Sequence, residues 1–437
     1  MMQALFLMKL NRLFAGVIAL GVAMPVFAAT IQEAFDNAVK VDPALRSSRF
    51  NQDANNENIA IARSRLLPQI SLQGSTNQLT QTTTQDVPGN SSISKSFTGP
   101  SANHQFVIRQ GLLRPKEISA INFAELQSLY GEVKYQSDLS DLWLRVTYAW
   151  IDLVGTKQLV EAYARPLKPL QAAAKQEVAR LIQGDSTKDV VAEAEAQFQF
   201  ANASHNQALQ TFKAKQKAFE LLTQIDPELL NGMNLNLLPK KAFSETDRDQ
   251  LLKRKRETSF ELRLAEIQEQ LQRERLRMTR ADHLPTLDVI ASWNIAKNDA
   301  TSTQGYQYKN NQIGIQYMVP IYTGGATSAA ERQVGFSLDA TIAESEAVAN
   351  RLEGDFQLLW AAWSGQYSRV QAGFKLVESA REQLKASTLS FAHGVKSMAD
   401  LANSELTFSR REVDQINLVM DYQKYSARLS RNDFFLN

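Results

Sequence analysis

The sequence predicts a mainly α-helical chain with a membrane β-barrel portion, written as two repeats of a strand pair followed by long helices. Three observations predict it. The two halves align with each other, each carries two segments of period-two hydrophobicity, and each runs on into helical stretches longer than a globular domain uses.

Composition sets the bounds. The chain has 437 residues and no cysteine, which removes disulfides, thiolate metal sites and Cys nucleophiles. The four histidines, His104, His205, His283 and His393, are scattered, so a His-rich metal cluster is not expected. Setting aside Lys9 and Arg12 leaves 46 basic against 46 acidic residues. A neutral chain has no net field for gripping nucleic acid.

Residues 1–28 carry those two charges, an apolar run from Leu13 to Ala23, and Val26 and Ala28 at the spacing of a signal-peptidase site. They read as a secretory signal cleaved between Ala28 and Ala29, with a short buried helix as the alternative. No later run approaches ~18 apolar residues, so no transmembrane helix is expected.

The repeat is read from sparse identities at structural punctuation. An offset of 217 places Asp42-Pro43-Ala44-Leu45-Arg46 on Ser259-Phe260-Glu261-Leu262-Arg263, and Leu67-Pro68 on Leu284-Pro285. An offset of 210 places Gly184 on Gly394, Ala192 on Ala402, Glu195 on Glu405 and Phe198 on Phe408. The first repeat is assigned to 29–240, with strands about 68–79 and 102–113 and long helices about 116–222. The second is assigned to 241–437, with strands about 285–296 and 309–322 and long helices about 326–430.

Each repeat opens with a helix that stops at Pro68 or Pro285, because proline pushes the residue before it out of the α region. Alternation follows. Leu287, Val289, Ala291, Trp293 and Ile295 share one face, as do Ile313, Ile315, Tyr317 and Val319. Ile70 and Leu72, and Phe106 and Ile108, repeat the pattern in the first half. Segments of about ten alternating residues suit membrane barrel strands. A soluble sheet with one wet face is the alternative. Residues Thr80–Ser101 and Lys297–Lys309, rich in Thr, Ser, Asn and Gly, read as external loops. Four strands cannot close a barrel, since the smallest membrane barrels have eight, and open edges are not tolerated in lipid. Several chains must therefore share one barrel, and three chains of four strands give twelve.

The long helices show a coiled-coil seam. Val191, Ala194, Phe198, Ala201, His205, Ala208, Phe212, Lys215, Phe219 and Leu222 keep 3-4 spacing. In the second half Leu401, Phe408, Leu418, Tyr422 and Tyr425 keep it, while Ser404, Arg411 and Gln415 interrupt it. Pro166 and Pro169 should break the first long helix. Residues 223–258 read as the connection between halves, with Lys253-Arg254-Lys255-Arg256 as a solvated face.

The pattern resembles the TolC-like outer-membrane factors. The resemblance is carried by Glu33-Ala34 with Asp42-Pro43-Ala44-Leu45, both Leu-Pro pairs, and Pro320-Ile321-Tyr322-Thr323-Gly324-Gly325. Arg109-Gln110-Gly111-Leu112-Leu113-Arg114-Pro115 is similar to the Gln-Pro-Leu form of the type I secretion branch, with Gly111 in place of the proline. The resemblance spans 29–437 and implies a homotrimer, with a twelve-stranded barrel in outer-membrane lipid continuous with a periplasmic α-helical tube. It implies a passive channel of a tripartite exporter, for type I protein secretion or drug efflux. The implied partners are a periplasmic adaptor and an inner-membrane ABC or resistance-nodulation-division pump. The rival readings are a periplasmic coiled-coil adaptor and a secreted enzyme on a helical scaffold.

No motif asks for a catalytic role, a cofactor or a metal. Gly394-Val395-Lys396-Ser397 lacks the earlier Gly and the preceding strand of a phosphate loop. Asp282-His283 has no nucleophile nearby, and His205 reads as a seam residue. Trp143, Trp150, Trp360 and Trp363 read as packing. The family resemblance places a periplasmic gate at Phe391, Gly394, Lys396, Asp400 and Asn403, where the family has Tyr, Gly, Arg, Asp and Asp. Asp189 then stands where it could pair with Lys396, and ordinary surface charge at a helix turn is the alternative. Gly184 and Gly394 are the expected adaptor-docking turns.

Overall fold

The computed structural model describes residues 30–86, 88–89, 92–227, 239, 243–298 and 306–431. The expected signal segment 1–28 and the Ala28–Ala29 cleavage pair lie outside them. Two helices open the described chain, α1 (Ile31–Val41) and α2 (Pro43–Ser64). Thr30 and Glu33 form a reciprocal capping box on α1, and Asp42 caps α2 by accepting from Leu45 N at 2.7 Å. The strands β1 (Gln69–Gln85) and β2 (Ile93–Leu113) follow. Next come α3 (Pro115–Ala164), α4 (Leu167–Gln183) and α5 (Lys188–Thr223). After a 3-10 turn at Glu245–Asp247, the chain forms α6 (Arg248–Thr258), α7 (Phe260–Ala281), β3 (Thr286–Asn298) and β4 (Tyr306–Met318). It finishes with α8 (Ala326–Ala392) and α9 (Met398–Leu429). The 67 residues of α8 span on the order of 100 Å at 1.5 Å per residue.

The strands of the first half are longer than the ten or so residues the alternation suggests: 17 in β1 and 21 in β2. Most of Thr80–Ser101, expected as loop, is paired hairpin. The reason is chemical. Thr80 and Thr98, Thr82 and Ser96, and Thr84 and Ser94 stand opposite one another and hydrogen-bond at 2.8–3.1 Å. Hydroxyl rungs between Thr and Thr or Ser stabilise a strand pair as apolar cross-strand pairs do. Within Lys297–Lys309, the paired ends also extend further than expected, to Asn298 and from Tyr306. β4 ends at Met318, short of the expected 322, ahead of Pro320 and the left-handed Gly324 and Gly325.

The four strands form one antiparallel sheet in the order β1-β2-β3-β4. Register aligns Ile70, Ile108, Ala291 and Ile313 across it, and Leu72 beside Phe106 and Trp293. The Phe106 and Trp293 rings pack at 5.6 Å. This apolar face is bare: Leu72 is 76% exposed, Ile313 77% and Tyr317 74%. The opposite face holds Gln69, Ser71, Gln73, Gln105, Ser292, Gln312 and Gln316 around a hollow of about 930 Å³. Among the described residues no helix is long and apolar enough to cross a membrane.

The main core lies where α1, α3, α5, α8 and α9 meet, around Leu142, Val146, Trp150, Phe219, Trp363 and Tyr422. Trp150, Trp360 and Trp363 are buried and Trp143 packs against them. The helix break at Pro166 falls where expected, between Ala164 and Leu167, with Pro169 tolerated in the first turn of α4. The α5 seam residues are all buried or half-buried. On α9 the interruptions are differently placed. Ser404 and Gln415 are buried, as are Phe408, Glu412, Ile416 and Val419, because α9 packs against α3, α4 and α8 at once. The basic cluster on α6 is not simply solvated: Arg256 pairs with Glu353, and Lys255 Nζ reaches Arg428 O at 3.4 Å.

Candidate functional site: the helix-turn end

The two long helical hairpins turn at Gly184 and Gly394. Both glycines adopt the left-handed conformation, at φ 85° and 76°. At the first turn Asp185 N donates to Arg180 O, and at the second Val395 N donates to Ser390 O, each at 2.8 Å. These bonds satisfy carbonyls that the helix end leaves orphaned. Ile182 and Val395 stand 82% and 79% exposed beside the turns, with Leu389 and Val190 also bare. A Cβ on either glycine would meet nothing within 4 Å, so a substitution there strains the backbone alone.

The start of α9 is a capping box. Ser397 N donates to Asp400 Oδ2 at 3.0 Å, the Ser397 hydroxyl donates to the same oxygen at 2.7 Å, and Asp400 N donates back to Ser397 Oγ at 3.1 Å. The hydroxyl of Ser397, then its backbone N–H, hold the Asp400 carboxyl below its ordinary value. A carboxylate here also complements the helix dipole. Asp400 and Asn403 are both exposed, beside the buried Ala402 and Ser404. Phe391 is 37% exposed, and its carbonyl accepts from Gly394 N at 3.0 Å.

Within the chain, Lys396 and Asp189 are not brought together as a pair. Lys396 Nζ donates to Ser387 Oγ at 2.8 Å, and Ser404 donates to that same hydroxyl at 2.8 Å. Asp189 is held below its ordinary pKa by the Thr187 side chain, then by backbone N–H groups at the start of α5. Each charge is engaged within its own hairpin. The Ser-x-x-Asp spacing of 397–400 is a readable capping signal, and it was the feature that sequence reasoning missed. Asp282 and His283 likewise part company: Lys116 Nζ lies 2.8 Å from Asp282, and His283 Nε2 lies 3.9 Å from Glu331. Among the described residues no His/Asp/Glu cluster could hold a metal ion.

Higher up, Asp152 of α3 joins three helices. Lys215 of α5 reaches it at 2.7 Å and Lys424 of α9 at 2.5 Å. Burial raises its pKa, and hydrogen bonds from the two lysines outweigh that and leave it below the carboxylate norm. Glu412, paired with Arg165 at 3.0 Å beside the helix break, is pushed up, chiefly by burial.

An apolar-faced sheet joined to paired helices of this length is a specific combination. Residues 251–432 match the family described as Outer membrane efflux protein. The chain is 23% identical over 441 residues to the "Outer membrane protein TolC" of Vibrio cholerae serotype O1, covering 97% of each. Over nearly its whole length the chain is similar to the TolC-like outer-membrane factors. It is also 22% identical over 392 residues to the "Proteases secretion protein PrtF" of Dickeya chrysanthemi, covering 88% of this chain and 84% of that protein. The CmeC outer membrane channel of Campylobacter jejuni shares the fold, with a TM-score of 0.75 at 14% identity over 92% of this chain and 85% of the other. The chain resides in the outer membrane, with its helical part extending into the periplasm. The adaptor alternative is set aside.

Proposed function

We propose that three copies of this chain close one twelve-stranded barrel, continuous with a helical tube, which serves as the passive exit duct of a tripartite exporter. The observation that carries this reading is the sheet. β1 and β4 each pair on one side only, while the sheet presents a bare apolar face. Lipid leaves no water to satisfy an open edge, so β1 of one copy must pair with β4 of the next. The polar face then lines the lumen.

The two halves of the chain act as duplicated units. α2 and α7, each 22 residues and each capped by the residue before it, lead into the two strand pairs. The Gly184 and Gly394 turns form the periplasmic rim, and their exposed apolar residues suit the hairpin tips of an adaptor, which joins the duct to an inner-membrane ABC or resistance-nodulation-division pump. Asp400, repeated three times, supplies a ring of negative charge at this mouth, with Asn403 as its neutral neighbour on the same exposed face. Protein secretion is favoured over drug efflux by the Gln110–Pro115 stretch and by likeness to a protein named for protease secretion. Deleting the gene and measuring the secreted proteome beside drug susceptibility tests the cargo. Loss of specific secreted proteins with unchanged susceptibility is expected, and the reverse would refute the secretion reading.

A further inference from the structure

Where the strands meet the helices, a hollow of about 270 Å³ is lined by Arg65, Gln69, Arg109, Arg114 and Glu117. Its charges do not balance. Arg65 pairs with Glu117 at 3.3 Å, and Arg114 forks onto both oxygens of Asp288, Nε reaching Oδ1 at 2.8 Å and Nη2 reaching Oδ2 at 2.5 Å. Arg109 is exposed and has no hydrogen-bond or ion-pair partner among the described residues. Register places it on the polar face, opposite Gln69 on one side and Ile290 on the other, with Gly314 beyond. The paired strands leave no acid free for it. The polar face of the four paired strands carries one acid, Asp288, and Arg114 already occupies it.

We infer that Arg109 and this hollow form a binding site for the carboxylates of acidic polypeptide segments in transit, on the inner wall at the floor of the barrel. The inference rests on the trimeric barrel proposed above. Three copies place three unpaired guanidiniums around one axis, in a channel whose low-dielectric walls focus their field. A guanidinium fork matches a carboxylate in a bidentate way that an ammonium cannot. A single exposed arginine in a wet lumen holds a lone anion weakly. A chain with several carboxylates engages all three copies at once, which selects an acidic polymer over a small ion. The duct then carries opposite charge at its two ends: Asp400 at the periplasmic rim and Arg109 at the barrel floor.

The test is block of single-channel current in planar bilayers, with decaglutamate added on the strand side. Decaglutamate should block the native assembly at concentrations about tenfold lower than it blocks Arg109→Gln. Arg109→Lys, which keeps the charge and loses the fork, should be blocked at concentrations between those of the native protein and Arg109→Gln, and decalysine should not compete. Inorganic phosphate at matched charge should block weakly and equally in all three proteins. Equal decaglutamate block of the native protein and Arg109→Gln would overturn the inference, as would phosphate block that disappears with Arg109. A native assembly with no unitary conductance would remove the barrel itself, and this site with it.

Discussion

Ser397→Ala changes no charge, yet it removes the hydroxyl that accepts from Asp400 N at 3.1 Å and donates to Asp400 Oδ2 at 2.7 Å. Loss of an N-cap hydroxyl costs about 1 kcal/mol, roughly a fivefold rise in the population with the first turn of α9 unwound. If three copies must be ordered together for the mouth to stay shut, the independent factors multiply to about a hundredfold. Amide exchange followed by mass spectrometry over 397–401 reads the local term, and resting conductance in planar bilayers reads the concerted one. Exchange should rise about fivefold in Ser397→Ala. Resting conductance should rise with it. Asp400→Gln should keep a capping oxygen, leave exchange near the native rate and lose cation selectivity. Unchanged exchange in Ser397→Ala would refute the cap as a stabiliser. Faster exchange with unchanged conductance would refute the start of α9 as part of the closure.

Three further outcomes are expected. Valine at Gly184 or Gly394 forces a β-branched residue to φ 85° or 76°, costing roughly 1–2 kcal/mol at a site with open space around it. Export should fail while the assembly still runs as one species on native gels, and normal export from both variants would count against the docking role. Asp152→Asn leaves Lys215 and Lys424 facing a neutral amide and should cost about 1–3 kcal/mol. Because burial and the two lysines together leave the native pKa below 3.8, this stabilisation is present above that pH and is lost as the pH falls through the lowered value. Denaturation of the native protein and Asp152→Asn should therefore converge in strong acid, and a constant gap would contradict the linkage. Trp363→Ala removes a fully buried indole whose Nε1 donates to Ser426 Oγ at 3.1 Å, and should cost about 3–5 kcal/mol in thermal or denaturant stability.

Much of the fold is legible in the sequence because its periods are clean. The seam from Val191 to Leu222 falls on the buried side of α5, and the alternation around Trp293 and Ile313 lies on one bare face. What was not legible has three physical sources. Polar strands carry no hydrophobic period, so the Thr and Ser rungs between 80 and 98 read as loop until their cross-strand hydroxyl bonds are seen. A helix that packs on several sides buries polar residues outside a single seam, as Ser404 and Glu412 show on α9. Family correspondence assigns a charge to a role without showing its local partner. It brought Asp400, Lys396 and Asp189 to the helix turns, and it did not show that Ser397, Ser387 and Thr187 already engage them.

The most direct test of the central claim is the mass of the detergent-solubilised protein, measured by native mass spectrometry with its β-sheet signal intact. The open edges of β1 and β4 require partners, so the mass should be three times that of a single chain. A stable single chain that retains its full β signal in detergent would contradict the shared barrel, and with it the exit duct.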